Sequence, residues 1–451
     1  MSFKAVKIKR LVLYSAEDLG LLIGIQLLIL KRSFYMKIGY ACLTVGVYDT
    51  NFKTCTLKTA TAENLLKIIE HNLETLDRIL DYNIKMGIKL FRISSDIIPF
   101  GSSPVNALPW DEIFKEKFQL MAEKLRNESI RVSMHPGQYT VLNSPNEEVV
   151  KRAVEDLNYH NRFLDALETR KSSKIILHVG GVYGNKNEAV ARFEKNYHLL
   201  TEGIKKRLVI ENDDKSYHIG DILQLGIDNQ IPVVYDNLHN QVLPFDVSKD
   251  DNYFITLANQ TWQADDGRQK IHYSQGAPLK RAGSHSKTID LEVFNEFLKG
   301  IPNVDIMLEV KDKNLSAVKA NNLIAHDKKI SDLEKEWARY KYNILEHDPN
   351  RYQEIRSLLK DKASYPVVEF YALIDQALII EPSQGNQLNA ASHVWGYFKD
   401  QATESEKKKY LSYIESFKKG TYSINAVKGL LLKMAEKYGN EYLLNSYYFY
   451  F

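Results

Sequence analysis

Six apolar runs through the middle of the chain each end in a histidine or a carboxylate. His135 closes the run holding Val132 and Met134, His178 follows Ile175-Ile176-Leu177, and Glu211 follows Leu208-Val209-Ile210. Asp236 then follows Val233-Val234-Tyr235, His272 follows Ile271, and Glu309 follows Ile306-Met307-Leu308. Imidazoles and carboxylates together match the nitrogen and oxygen preference of Zn(II) or Mn(II). A single His or Glu at a strand end is usually a hydrogen-bonded loop group or a solvated charge, and His71, His160, His198, His326, His347 and His393 read that way. Six in register need a common cause. Clustered ions suit phosphoester cleavage, where two metals about 3.5–4 Å apart activate water and stabilise the leaving oxygen; isomerisation of a sugar is the competing use. His239 and His285 stand where a third ion could bind.

The elements that must position these residues are legible from the spacing. Short β-branched runs fall at 37–43, 90–94, 130–135, 174–178, 208–211, 233–236, 270–273 and 305–309. Between them lie amphipathic stretches such as Leu66, Ile69, Leu73, Leu76 and Leu80, at helical period. Strict alternation of strand and helix means a parallel sheet, and eight such units predict an α/β fold of the TIM (β/α)8 class, residues 36–325. The C-terminal strand ends of that barrel face one another across its mouth, so the six groups converge. Past residue 325 the strand signal stops. Thr403 and Glu406 form a capping-box pattern ahead of Tyr410, Tyr413, Ile414 and Phe417, with Gly420 as a C-cap, so 326–451 reads as an appended all-α domain. The apolar run at 21–30 is too short to span a bilayer, and acids precede it. Met36 is therefore expected as the start of the folded chain, with 1–35 an extension outside it.

Composition sets the remaining bounds. With 451 residues, 44% hydrophobic and 26% charged, the chain is globular rather than disordered. A net charge of +3 permits nucleic-acid binding without indicating it. The only cysteines, Cys42 and Cys55, are too few for a disulfide framework, which fits a reducing cytoplasm. Any metal must be held by His and carboxylate.

The motifs SMHPGQYTVLNSP (133–145), LHVGG (177–181), IENDD (210–214), YDNLHN (235–240), KIHYSQ (270–275) and MLEVKDK (307–313) together resemble the ultraviolet-damage endonucleases. The resemblance spans about 36–315; endonuclease IV shares the barrel but differs at its strand ends, and a xylose isomerase-like enzyme is the sugar-directed alternative. It implies incision of double-stranded DNA immediately 5′ to pyrimidine dimers, 6-4 photoproducts or abasic sites. It also implies two or three divalent ions, Mn(II) first with Zn(II) or Mg(II) as alternatives. By position, His135, His178 and Glu211 would hold one ion, Glu211, Asp236, His272 and Glu309 a second, and His239 and His285 a third. Glu211, Lys270, His272 and Glu309 would carry the catalysis. Gln138 and Tyr139 match the pair that wedges into the duplex, and Tyr40 matches an aromatic beside the lesion pocket. Lys270, on the inward face with His272, would contact phosphate or be carbamylated. Thr44 departs from the usual asparagine. Within 326–451, HVWGYFKDQATESEKKKYLSYIESFKKG and YLLNSYYF resemble a bacterial helical domain of no assigned function. A monomer without obligate protein or membrane partner, working in the cytoplasm with the DNA or in a eukaryotic nucleus, completes the expectation.

Overall fold

In the computed structural model the described residues are 36–325 and 327–450, so the expectation for 1–35 lies outside them. The strands are β1 (Ile38–Cys42), β2 (Leu90–Ile93), β3 (Arg131–Met134), β4 (Ile175–His178), β5 (Leu208–Glu211), β6 (Val233–Val234), β7 (Lys270–Tyr273) and β8 (Asp305–Leu308). All eight pair in parallel, in the order β6-β5-β4-β3-β2-β1-β8-β7. β6 and β7 close the ring through a single parallel bridge, Asp236 to His272, with the His272 N–H donating to the Tyr235 carbonyl at 2.9 Å. The result is a nearly closed TIM barrel.

Each strand leads into a helix on the outside: α1 (Ala62–Lys85), α2 (Lys115–Asn127), α3 (Glu147–Ala166), α4 (Lys186–His198), α5 (Ile219–Asn229), α6 (Asp251–Asn259), α7 (Leu291–Lys299) and α8 (Asn314–Ile324). α1 shows why. The Thr61 hydroxyl accepts from the Asn64 N–H, capping the helix, and Leu65, Ile69, Leu73, Leu76 and Leu80 are buried on one face. Each such burial contributes about 1.5–3 kcal/mol. The helix stops where Gly87 takes φ +71°.

Alternation along the strands sorts the core into two layers. Phe91, Ile271 and Leu308 face the helices, while Ile176, Val209 and Val234 pack against one another in the lumen, as do Ala41, Leu90 and Met307. Lys270 crosses the lumen from β7 to β3, its Nζ donating to Ser133 Oγ at 2.9 Å, and forms a polar floor beneath the mouth. β6 pairs with β5 only over Val233–Val234; Asp236, which still bridges to His272, caps the short helix Asn237–Val242, accepting from the His239 N–H at 2.8 Å.

Beyond the barrel come α9 (Ile330–His347), α10 (Pro349–Leu358), α11 (Val367–Ile379), α12 (Gln384–Trp395), α13 (Glu404–Lys418) and α14 (Ile424–Lys437). The Thr403–Glu406 capping box forms, and Gly420 takes φ +72° just past α13. Ile330, Leu333, Phe370 and Ile374 belong to the same apolar cluster as the barrel, whereas Ala390, Val394, Val427 and Leu431 belong to a second cluster. Polar contacts stitch the same boundary: Lys319 Nζ lies 2.5 Å from Asp375 Oδ1, and Asn322 Nδ2 donates to the Tyr371 hydroxyl at 2.8 Å. These helices are docked on the barrel, not tethered to it.

Candidate metal centre

The strand ends deliver the ligand-type side chains to one place. His135 Nε2 lies 3.1 Å and His178 Nε2 3.6 Å from Glu211 Oε2, while His272 Nδ1 lies 2.7 Å from the other oxygen, Oε1, and 3.1 Å from Glu309 Oε1. Ligand atoms of His135, His178 and Glu211 fall within 4.8 Å of one another, and so do those of Glu211, Asp236 and His272. Glu211 is shared. The donor set passes a physical test for cations, because buried His178 Nδ1, Asp236 Oδ2 and His272 Nε2 have no hydrogen-bond partner. Unpaired buried polar atoms are costly, and these three belong to residues of ligand type in one mouth.

The electrostatics keep Glu211 and His135 in ligating form. Burial opposes ionisation of Glu211, but the His272, His178 and His135 rings override it and hold the carboxyl well below the usual range. Burial pushes His135 down to about 4 against the pull of Glu211, so its imidazole is neutral near pH 7. His239 goes the other way: burial would lower it, yet Asp236 and Glu211 push it up to about 9.

Asparagine side chains, which the sequence pattern does not single out, position the centre. Asn212 accepts from the Asp236 N–H at 2.8 Å and donates to its carbonyl at 3.0 Å; Asn237 does the same for Ser274, at 2.8 and 2.9 Å. Side-chain amides thus replace missing ladder rungs around β6, which explains Asn212 of IENDD and Asn237 of YDNLHN. Arg92 on β2 is a second residue that sequence reasoning missed. Its guanidinium forms an ion pair with Glu309 at the edge of the cluster, and both side chains are largely buried. Burial would raise the Glu309 carboxyl, but Arg92 and His272 hold it below the usual range. The available signal was an arginine at an inward-facing position inside the otherwise apolar LFRI.

Other expected residues fall in four places. Glu309, His239 and His285 surround the two ligand groups without entering either among the described residues. The His239 ring is 5.6 Å from that of His178, and its Nδ1 lies 2.8 Å from the Asn212 carbonyl. His285 bonds through Nδ1 to the Glu309 main-chain oxygen. Lys270 is buried beneath the ligands; burial first, then Arg131 and Arg92, drives its amine well below the ordinary lysine value. Gln138 and Tyr139 sit in a turn beyond β3, Tyr139 with 84% of its surface exposed. Tyr40 is corrected. The parity of β1 turns Ala41 into the lumen and Tyr40 outward, fully buried, with its hydroxyl donating to Asn83 Oδ1 on α1 at 2.9 Å. Tyr40 has no surface to offer a substrate. Thr44 is bonded to Thr50, hydroxyl to hydroxyl, at 2.6 Å.

Comparison with known proteins adds an independent line. Residues 36–341 match the family model described as UV-endonuclease UvdE, and residues 341–451 match DUF1722, a family of unknown function. A UV DNA damage endonuclease from Clostridium perfringens (strain 13 / Type A) is 41% identical over 350 residues, covering 76% of this chain and 84% of that one. One from Bacillus cereus (strain G9842) is 32% identical over 294 residues, covering 62% and 92%. The crystal structure of SacUVDE superposes with a TM-score of 0.60 at 38% identity, covering 64% of this chain and 98% of that one.

Proposed function

Since this chain belongs to the UV-endonuclease family, we propose that it nicks damaged double-stranded DNA with the help of divalent ions held at the barrel mouth. The observation that carries the metal reading is the pair of ligand groups joined at Glu211, whose buried unpaired atoms await cations. His135, His178 and Glu211 would hold one ion, and Glu211, Asp236 and His272 a second, with Glu309 beside it. His239 and His285 would border a third. Mn(II) suits this oxygen and nitrogen set, with Zn(II) or Mg(II) as alternatives. Divalent ions so bound supply Lewis-acid activation of water and offset charge on the departing oxygen. The protein's own part is to keep His135 unprotonated and Glu211 ionised, and to hold Glu309 through Arg92.

Lys270 lies under the ligands with 1% exposure, out of reach of a phosphate. Its depressed amine favours the carbamylated reading, in which the uncharged nitrogen adds carbon dioxide and releases a proton. Every residue proposed to hold an ion falls within 36–325, so we assign the chemistry to the barrel and treat 326–451 as a docked accessory domain. No helix among the described residues is long and apolar enough to cross a membrane, and a DNA substrate places the work in a bacterial cytoplasm or a eukaryotic nucleus.

The test is incubation with ultraviolet-irradiated and unirradiated duplex plus Mn(II). Nicking 5′ to photoproducts in the irradiated strand alone is expected; equal cutting of both duplexes would overturn lesion specificity. Lesion choice is expected to depend on Gln138 and Tyr139. If they fill the gap left by an extruded dinucleotide, replacing both by Ala weakens binding to damaged duplex about ten- to a hundredfold, because one aromatic stack is worth about 1–3 kcal/mol. Metal content and binding to intact duplex should stay unchanged. Equal loss of affinity for both duplexes would make the pair a general contact.

A further inference from the structure

We propose that the loop joining β7 to α7 is a second DNA-contact element, meeting the duplex from the side of the mouth opposite Gln138 and Tyr139. The proposal rests on the endonuclease reading above. β3 and β7 are four places apart in either direction round the ring, so the loops that follow them face each other across the mouth.

The foot of this loop is rigid. Gly276 and His285 form an antiparallel bridge, flanked by Ala277 N–H to the Ser284 carbonyl at 2.7 Å and Ser286 N–H to the Gln275 carbonyl at 2.8 Å. The foot is also tied to the chain after β8, through the His285 ring on the Glu309 main chain and the Lys311 N–H on the Ser286 carbonyl at 3.1 Å. These ties set the base of the loop beside the candidate metal centre.

At the tip, Leu279 is fully exposed and holds φ +61°, a left-handed conformation unfavourable for a branched side chain. Lys280 and Arg281 follow it, both exposed and neither in an ion pair among the described residues. An isolated exposed leucine needs no explanation. One presented on a strained turn beside two free cations, facing another exposed apolar tip at Tyr139, has the composition that a kinked duplex would meet. The cations reach phosphates, and the apolar side chain covers base or sugar surface exposed by unstacking.

The experiment uses the full chain and a duplex with one abasic-site analogue and a non-hydrolysable linkage at the incision position, beside its intact counterpart. The K280Q/R281Q double variant should reduce the slope of log affinity against log salt by about 1.8 on both duplexes, at about 0.9 for each phosphate no longer neutralised. Leu279→Ala should weaken binding to the damaged duplex by about tenfold and leave the intact duplex unaffected. Metal content and melting should match wild type, since these side chains bury nothing. A wild-type salt slope in K280Q/R281Q, in a protein that does nick irradiated DNA, overturns the loop assignment alone. A wild type that neither prefers nor nicks damaged duplex overturns the endonuclease reading itself.

Discussion

Glu211→Gln should leave a folded protein that has lost incision by about a thousandfold or more, the scale on which removal of a group acting on developing charge is felt. The substitution keeps the side chain's shape in a site that is 1% exposed. What it removes is the one anion whose two oxygens face both ligand groups, so cations there lose shared neutralisation. Metal analysis should show reduced content alongside lost activity. The His272 and His135 rings, now facing an amide, would lose the carboxylate they hydrogen-bond, so a modest fall in melting temperature is also expected. A variant that keeps its metal and cuts like wild type would sink the shared-ligand assignment.

Arg92→Gln should have the next largest effect, and it separates the ion pair from the ions. Removing one partner of a buried pair costs about 3–5 kcal/mol because the other charge stays behind. Without metal the variant should melt about 6–20 °C lower, at about 2–4 °C per kcal/mol. Saturating Mn(II) should then raise its melting temperature more than it raises that of wild type, because a cation near Glu309 offsets the orphaned carboxylate. The pH dependence follows from the lowered Glu309 pKa. A carboxyl held below its unfolded value contributes stability that is present above the unfolded value and fades as pH falls through the folded one. The gap between wild type and variant should therefore narrow in acid. Identical melting of the two metal-free proteins would show that Arg92 does not hold Glu309 in solution.

The strands were legible because a parallel barrel buries both faces of every strand, and the resulting apolar runs stand out in the sequence. The ligand-type residues were legible for a related reason: a charged or imidazole group ending such a run has only the mouth to occupy. Tyr40 was misread where those arguments do not reach. Its side-chain direction depends on strand parity, and the pairing of small Gly39 and Ala41 with the lumen shows that parity only once register is known. Arg92 was hidden by the complementary effect, since one cation within LFRI reads as ordinary alternation until Glu309 is found across from it. The docking of α9 and α11 on the barrel was illegible altogether, because pairs such as Lys319 with Asp375 join residues with no local sequence relation.

The closing seam gives the barrel an unusual dependence. Most of its wall is fastened by main-chain hydrogen bonds, which are indifferent to what the mouth contains. Between β6 and β7 the bridge joins Asp236 to His272, the same two residues that form one ligand group with Glu211. Wall and contents then share a clasp. If ions bind there as proposed, an ion departing would slacken the fastening and a momentary parting of the strands would spread the ligands and free the ion, so metal retention and the integrity of the barrel would be two readings of one equilibrium.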